Sequence, residues 1–110
     1  MQPQGIQRRR IKGWRKPAMT ICVTRPGRWG NPFTAEEYGR KNAIEMYRQC
    51  VLNNEMVFSY LGTTVMATQI FEHFKWISEN LHLLRDKNLA CYCALDQNCH
   101  RSVLLELANK

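Results

Sequence analysis

Apolar residues recur along this chain at two periods, and each period predicts a kind of element. Between Thr34 and Leu52, Tyr38, Ile44, Tyr47 and Val51 form a stripe close to the 3.6-residue repeat of a helix. Thr34 suits the N-cap, and Glu37 three residues later completes a capping box. Arg40, Lys41, Glu45 and Arg48 fall on the other face and read as solvated. Asn53-Asn54 ends that helix, and Glu55 to Leu61 predicts a short one stopped at Gly62. From Thr64 to Leu84 a further helical region places Ile70, Phe74, Ile77 and Leu81 at i, i+4, i+7 and i+11. Phe71 and Trp76 widen its apolar face, with His73 and His82 as partly exposed neighbours. Val103, Leu104, Leu107 and Ala108 are the buried stripe of a C-terminal helix that starts at Arg101.

Three segments read as strands: Ile6 to Ile11, Met19 to Thr24 (bounded by Pro17 and Pro26), and Lys87 to Cys93. In the last, alternation puts Leu89, Cys91 and Cys93 on one face and Ala90 and Tyr92 on the other. Gly13 to Pro17 is a turn, and Met1 to Gly5 reads as a disordered terminus. Strands, then helices, then a strand and a helix give an α/β class with a small sheet under helices. A chain of 110 residues makes one domain, 1–110, with a single modest core.

Composition adds three constraints. The longest apolar run falls well short of the roughly 20 residues of a membrane span, and no secretory segment follows the basic N-terminus. The cysteines number five, and with no signal peptide they predict free thiols in a reducing cytoplasm. The net charge of +7 is concentrated at one end. Residues 1–30 hold Arg8, Arg9, Arg10, Lys12, Arg15, Lys16, Arg25 and Arg28 with no acid, whereas the rest of the chain is close to neutral. Such a block predicts an anionic partner, either a nucleotide phosphate, nucleic acid or an acidic surface. A solvated arm without a partner is the plain alternative.

Two stretches carry candidate chemistry. In Arg25-Pro26-Gly27-Arg28-Trp29-Gly30-Asn31-Pro32-Phe33, prolines and glycines exclude regular structure, and Pro26-Gly27 suits a type II turn. Arginines beside aromatic faces suit phosphate pairing and base stacking, although Trp29 and Phe33 could equally cap the core. The second stretch runs from Cys91 to Arg101 through Cys93, Cys99 and His100, from a strand through a turn into a helix N-terminus. Such turns accept anions. Cys91, Cys93, Cys99 and His100 also make a Cys₃His zinc set, but Cys91 and Cys93 on a regular strand stand about 6.5–7 Å apart at Cα, wide for one tetrahedral ion. A third reading is catalytic: Cys99, beside His100, Arg101 and a helix N-terminus, has the surroundings of a reactive thiol.

The run Gln7 to Pro17, the segment Val23 to Phe33 with its Trp-Gly-Asn-Pro-Phe, Leu89 to Cys93, and Cys99-His100 resemble the domain-of-unknown-function family four-three-two-six. The resemblance implies a phage or bacterial origin and a small Rossmann-like single domain with a short, mainly parallel sheet covered by helices. It also implies a site where the arginine-tryptophan loop meets the Cys-His turn. Thr24 stands where that family usually has glycine, which narrows the site or adds a hydroxyl contact. Arg101-Ser102 replaces a small residue and an acid, which favours an anion at the helix start.

The expected function is therefore binding of a nucleotide or another phosphate-bearing small molecule between the Arg25–Phe33 loop and the Cys93–Arg101 turn. Arg8, Arg10, Trp14, Arg15, Arg25, Arg28, Trp29, Gly30, Asn31, Cys93 and Arg101 are the candidate ligand contacts. In an enzymatic version, a hydrolase or transferase acting on a nucleoside or nucleotide, Cys99 and His100 are the reactive groups, with Glu36, Glu37 or Glu45 as carboxylates. The alternative is a basic module that binds nucleic acid or a host protein, stabilised by zinc or not.

Overall fold

A computed structural model describes residues 3–25, 27–95, 97 and 99–110. Three short strands, β1 (Gly5–Gln7), β2 (Thr20–Cys22) and β3 (Asn88–Cys91), form one parallel sheet in the order β1-β3-β2. Ile6 pairs with Ala90 on one side and Cys22 with Ala90 on the other, so β3 is the central strand. Its Leu89, Ala90 and Cys91 are all buried, as expected of a parallel strand with both edges taken.

The helices are α1 (Ala35–Tyr38), α2 (Arg40–Leu52), α3 (Met56–Leu61), α4 (Val65–Asn80) and α5 (His100–Ala108), with a 3₁₀ turn at Leu81–Leu84. α5 packs on β3 and β1, and α2 links α5 to α4. Tyr47, Phe74, Ile77, Leu84, Leu89 and Leu104 are fully buried where these elements meet. This is a small α/β fold, and no helix among the described residues is long and apolar enough to cross a membrane.

The single helix expected from Thr34 to Leu52 is two helices. Thr34 caps α1 as expected, its Oγ1 accepting from the Glu37 amide at 3.3 Å. Gly39 then breaks the helix, with φ 81 and ψ 147, a conformation that residues with a Cβ resist. The strands are shorter than their apolar runs. β1 begins at Gly5 and ends at Gln7 rather than spanning Ile6 to Ile11. The terminus expected to be disordered is tied down from Gln4, whose amide donates to Asn88 Oδ1 at 2.9 Å, while Met1 and Gln2 lie outside the described residues. β3 ends at Cys91, so Cys93 lies beyond the strand.

Candidate functional site

β3, the bend after it, the Thr24–Phe33 loop and the start of α2 enclose a cavity of about 240 Å³. Arg10, Arg25 and Arg40 line it together with Thr24, Asn31, Tyr92 and His100, and Phe33, Ala35, Ala43 and Ile44 give it an apolar side. Cys91, Cys93 and Cys99 line it as well. Among the described residues, no carboxylate lines it.

The thiols converge because β3 stops early. The Sγ atoms of Cys91, Cys93 and Cys99 all lie within 4.8 Å of one another, Cys91 and Cys93 being 3.9 Å apart. This removes the objection from strand geometry, since a bend after Cys91 turns the second thiol toward the first. All five cysteines are free. Cys91 is held down to about 4, chiefly by hydrogen bonding from the Cys99 thiol, with the Cys93 amide assisting and burial opposing. Cys99 is correspondingly raised, by the same bond and by burial.

His100 is the first residue of α5 and is 7% exposed. Its Nε2 sits 2.5 Å from the Val23 carbonyl oxygen, which can only accept, so Nε2 carries the proton. Nδ1 is left with its lone pair facing Cys99 Sγ at 3.8 Å. Burial pushes the imidazole below its ordinary value, partly offset by the Val23 carbonyl.

The arginine arm is docked rather than loose where it meets the cavity. Arg8 donates to Thr24 Oγ1 at 2.5 Å, and its guanidinium lies 4.5 Å from the Tyr92 ring centre. Arg10 lies 4.2 Å from the same ring. The Thr24 hydroxyl therefore holds Arg8, which, unlike Thr24 and Arg10, is not among the lining residues. Arg25 Nη1 donates to the Asn31 carbonyl at 3.2 Å, and Arg40 Nη1 approaches Cys93 Sγ at 3.7 Å.

Several expected ligand contacts have structural roles instead. Arg101 is 2% exposed and donates to the carbonyls of Ile6, Cys93 and Ala94 at 3.0–3.2 Å, so its charge is directed into the backbone and not toward an anion. Trp29 is buried, its ring 4.8 Å from that of Trp76, which excludes base stacking. Phe33 stacks on Phe74 at 5.8 Å, so both loop aromatics cap the core. Arg28 lies over Trp76 outside the cavity. Asn31 lines the cavity, but its amide already bridges the Ala43 carbonyl at 3.0 Å and the Phe33 amide at 2.9 Å. Gly30 is required for packing, because a Cβ there would stand 2.9 Å from Arg25 Cα. His73 is half-buried and holds the loop by donating to the Gly30 carbonyl at 2.8 Å.

Trp14 and Arg15 are not among the lining residues. Glu36, Glu37 and Glu45 are exposed and outside the lining too. Pro26, of the expected type II turn, and Asp96 and Asn98, of the Cys-His turn, lie outside the described residues. Sequence reasoning missed Arg40, Ala43, Ile44 and Tyr92 as lining residues. Arg40 in particular read as solvated helix surface, and only the break at Gly39 sets it against Cys93.

Fold and site together define a small α/β domain with a thiol-floored, arginine-lined cavity. The chain belongs to the family described as Domain of unknown function (DUF4326), whose model matches residues 6–110. No curated protein and no solved structure matches it.

Proposed function

We propose that this protein binds a phosphate-bearing small molecule, a nucleotide by preference, in the cavity between the Thr24–Phe33 loop and the β3–α5 turn. The observation that carries this reading is the wall itself: Arg10, Arg25 and Arg40 converge on a cavity with no carboxylate among its described lining residues. Guanidinium groups pair bidentately with phosphate oxygens, and a partly enclosed site strengthens such pairs relative to open water. Phe33, Ala43 and Ile44 supply the apolar side that a base or sugar needs. The thiol floor is a donor set for zinc, and its free thiols fit a reducing compartment such as the cytoplasm of a bacterium or of a phage-infected host.

Calorimetric titration with inorganic phosphate, a nucleoside and the matching nucleoside monophosphate tests the reading. The monophosphate is expected to bind most tightly, and Arg25→Ala with Arg40→Ala to weaken it at least tenfold. Equal affinity for the nucleoside and its monophosphate would sink the proposal.

The exposed run Arg9, Lys12, Arg15 and Lys16 favours a second reading, in which nucleic acid lies along the arm. Binding dominated by that run weakens steeply with salt, by roughly 10³-fold between 50 and 200 mM for six or more phosphate contacts. A nucleotide held by the cavity arginines is much less sensitive.

A further inference from the structure

The thiols and the arginines line the same cavity, and their juxtaposition bears on how a ligand is held. We propose that a zinc ion on Cys91, Cys93 and Cys99 keeps its fourth coordination position open to the cavity, where an oxygen of the phosphate-bearing ligand completes the shell. The oxygen ligand rests on the anion-binding reading, whereas the three-thiol site does not.

The thiol set has suitable dimensions without rearrangement. Zinc–sulfur bonds of about 2.3 Å place tetrahedral sulfurs about 3.8 Å apart. Cys91 and Cys93 are already 3.9 Å apart, and the third thiol lies within 4.8 Å of both. The backbone that carries them is held independently of any ion. Arg101 grips the carbonyls of Cys91, Cys93 and Ala94, at 3.4, 3.2 and 3.2 Å, from beneath the turn. Cys99 is fixed as the residue that precedes α5. A site braced in this way loses little entropy on binding metal.

Three protein donors leave one position over. His100 is the remaining imidazole in the lining; its Nδ1 faces Cys99 Sγ at 3.8 Å, but it is not part of the set within 4.8 Å. Among the described lining residues there is no carboxylate, so the fourth position faces the cavity. Three protein ligands with an open position is the arrangement of zinc sites that bind substrate, not of closed structural ones.

Charge explains why the arginines belong to the same site. Three thiolates on a divalent ion leave a net −1, which would repel an oxyanion. Arg40 beside Cys93, with Arg25 and Arg10 in the same lining, sets positive charge around the cavity. Binding releases the thiol protons to solvent, so no redox partner is needed.

Cobalt(II) titration of the full chain under reducing, anaerobic conditions tests the assignment. One equivalent should produce thiolate-to-metal charge-transfer bands, and inorganic phosphate should then shift the d–d bands. Cys93→Ser should weaken the charge-transfer intensity with its circular dichroism unchanged, and Arg25→Ala with Arg40→Ala should keep that intensity but lose the phosphate shift. Absence of charge-transfer bands overturns the site. Bands that stay still while calorimetry records phosphate binding overturn the open position, and a change in them in His100→Gln would then identify a closed Cys₃His site. Strong bands with no phosphate heat overturn the oxygen ligand together with the anion reading, and leave a plain three-thiol site.

Discussion

Arg101 donates from Nη1 to the carbonyl oxygen of Ile6 at 3.0 Å, across almost the full length of the chain. That bond ties α5 to the outer strand β1, and the same guanidinium holds the turn that carries the thiols. Gly5 makes room for it, since a Cβ there would come within 3.1 Å of Arg101 Nε. The cation is thus solvated by backbone dipoles in place of water.

Arg101→Met keeps much of the buried stem but takes the guanidinium from the Ile6 and Cys93 carbonyls, whereas those of Cys91 and Ala94 keep the Arg8 and Gln97 amides. The expected loss is roughly 2–4 kcal/mol of stability, read from urea unfolding midpoints. Arg101→Lys retains a charge without the planar fork and should fall between the two. A loss under about 0.5 kcal/mol for the methionine variant would show that the Ile6 and Cys93 carbonyls do not depend on the guanidinium.

Gly39 makes a prediction free of packing effects, because a Cβ there would meet nothing within 4 Å. Its cost on substitution is conformational alone, from φ 81. Gly39→Ala should destabilise the protein by roughly 1–3 kcal/mol. D-alanine at the same position, introduced by chemical ligation, should be neutral or stabilising. Equal effects from the two enantiomers would contradict the argument. Loss of the break should also weaken phosphate binding, since Arg40 follows it directly.

The helices were legible in the sequence because their apolar stripes and caps agree. Thr34 and Thr64 both cap as their positions suggest, and Gly62 stops α3. The break at Gly39 was not legible, because a lone glycine inside a helical stripe is usually tolerated. The family could be read, but not the jobs of the residues that line the cavity. Arg101 and Trp29 look like ligand contacts in one dimension, and only burial shows them facing inward. The thiol cluster was legible as a candidate set but not its closeness: strand spacing separates Cys91 from Cys93, and the bend that joins them depends on where pairing with β1 ends.

Trp29 and Arg28, adjacent in the loop, should separate cleanly. Trp29→Ala removes a ring packed on Trp76 and should cost about 3–5 kcal/mol. Arg28→Ala removes a surface cation–π contact, should cost no more than about 1 kcal/mol, and should leave phosphate affinity unchanged. Thermal unfolding and phosphate titration of both variants check this. A tenfold affinity loss in Arg28→Ala would return that arginine to the site.

Stability should fall in alkali with a sign and window set by two buried groups. Burial pushes the Cys50 thiol from 9.0 up to about 12, and burial also raises the Tyr47 hydroxyl well above 10.0. Above pH 9 the unfolded chain therefore releases a proton that the folded chain keeps. The unfolded state then binds fewer protons, so the contribution is complete below pH 9 and is lost as pH rises toward 12. Each such group adds a slope of about 1.4 kcal/mol per pH unit once its unfolded form has ionised. Tyr47 adds its share from pH 10, with its hydroxyl donating to the Trp29 carbonyl at 2.7 Å. Cys50→Ala should remove the first slope, so that its urea midpoints converge on those of the parent protein between pH 9 and 10. Tyr47→Phe should start about 1 kcal/mol lower at neutral pH and fall less steeply above pH 10. Parallel curves for Cys50→Ala and the parent between pH 9 and 11 would show that the buried thiol does not resist ionisation.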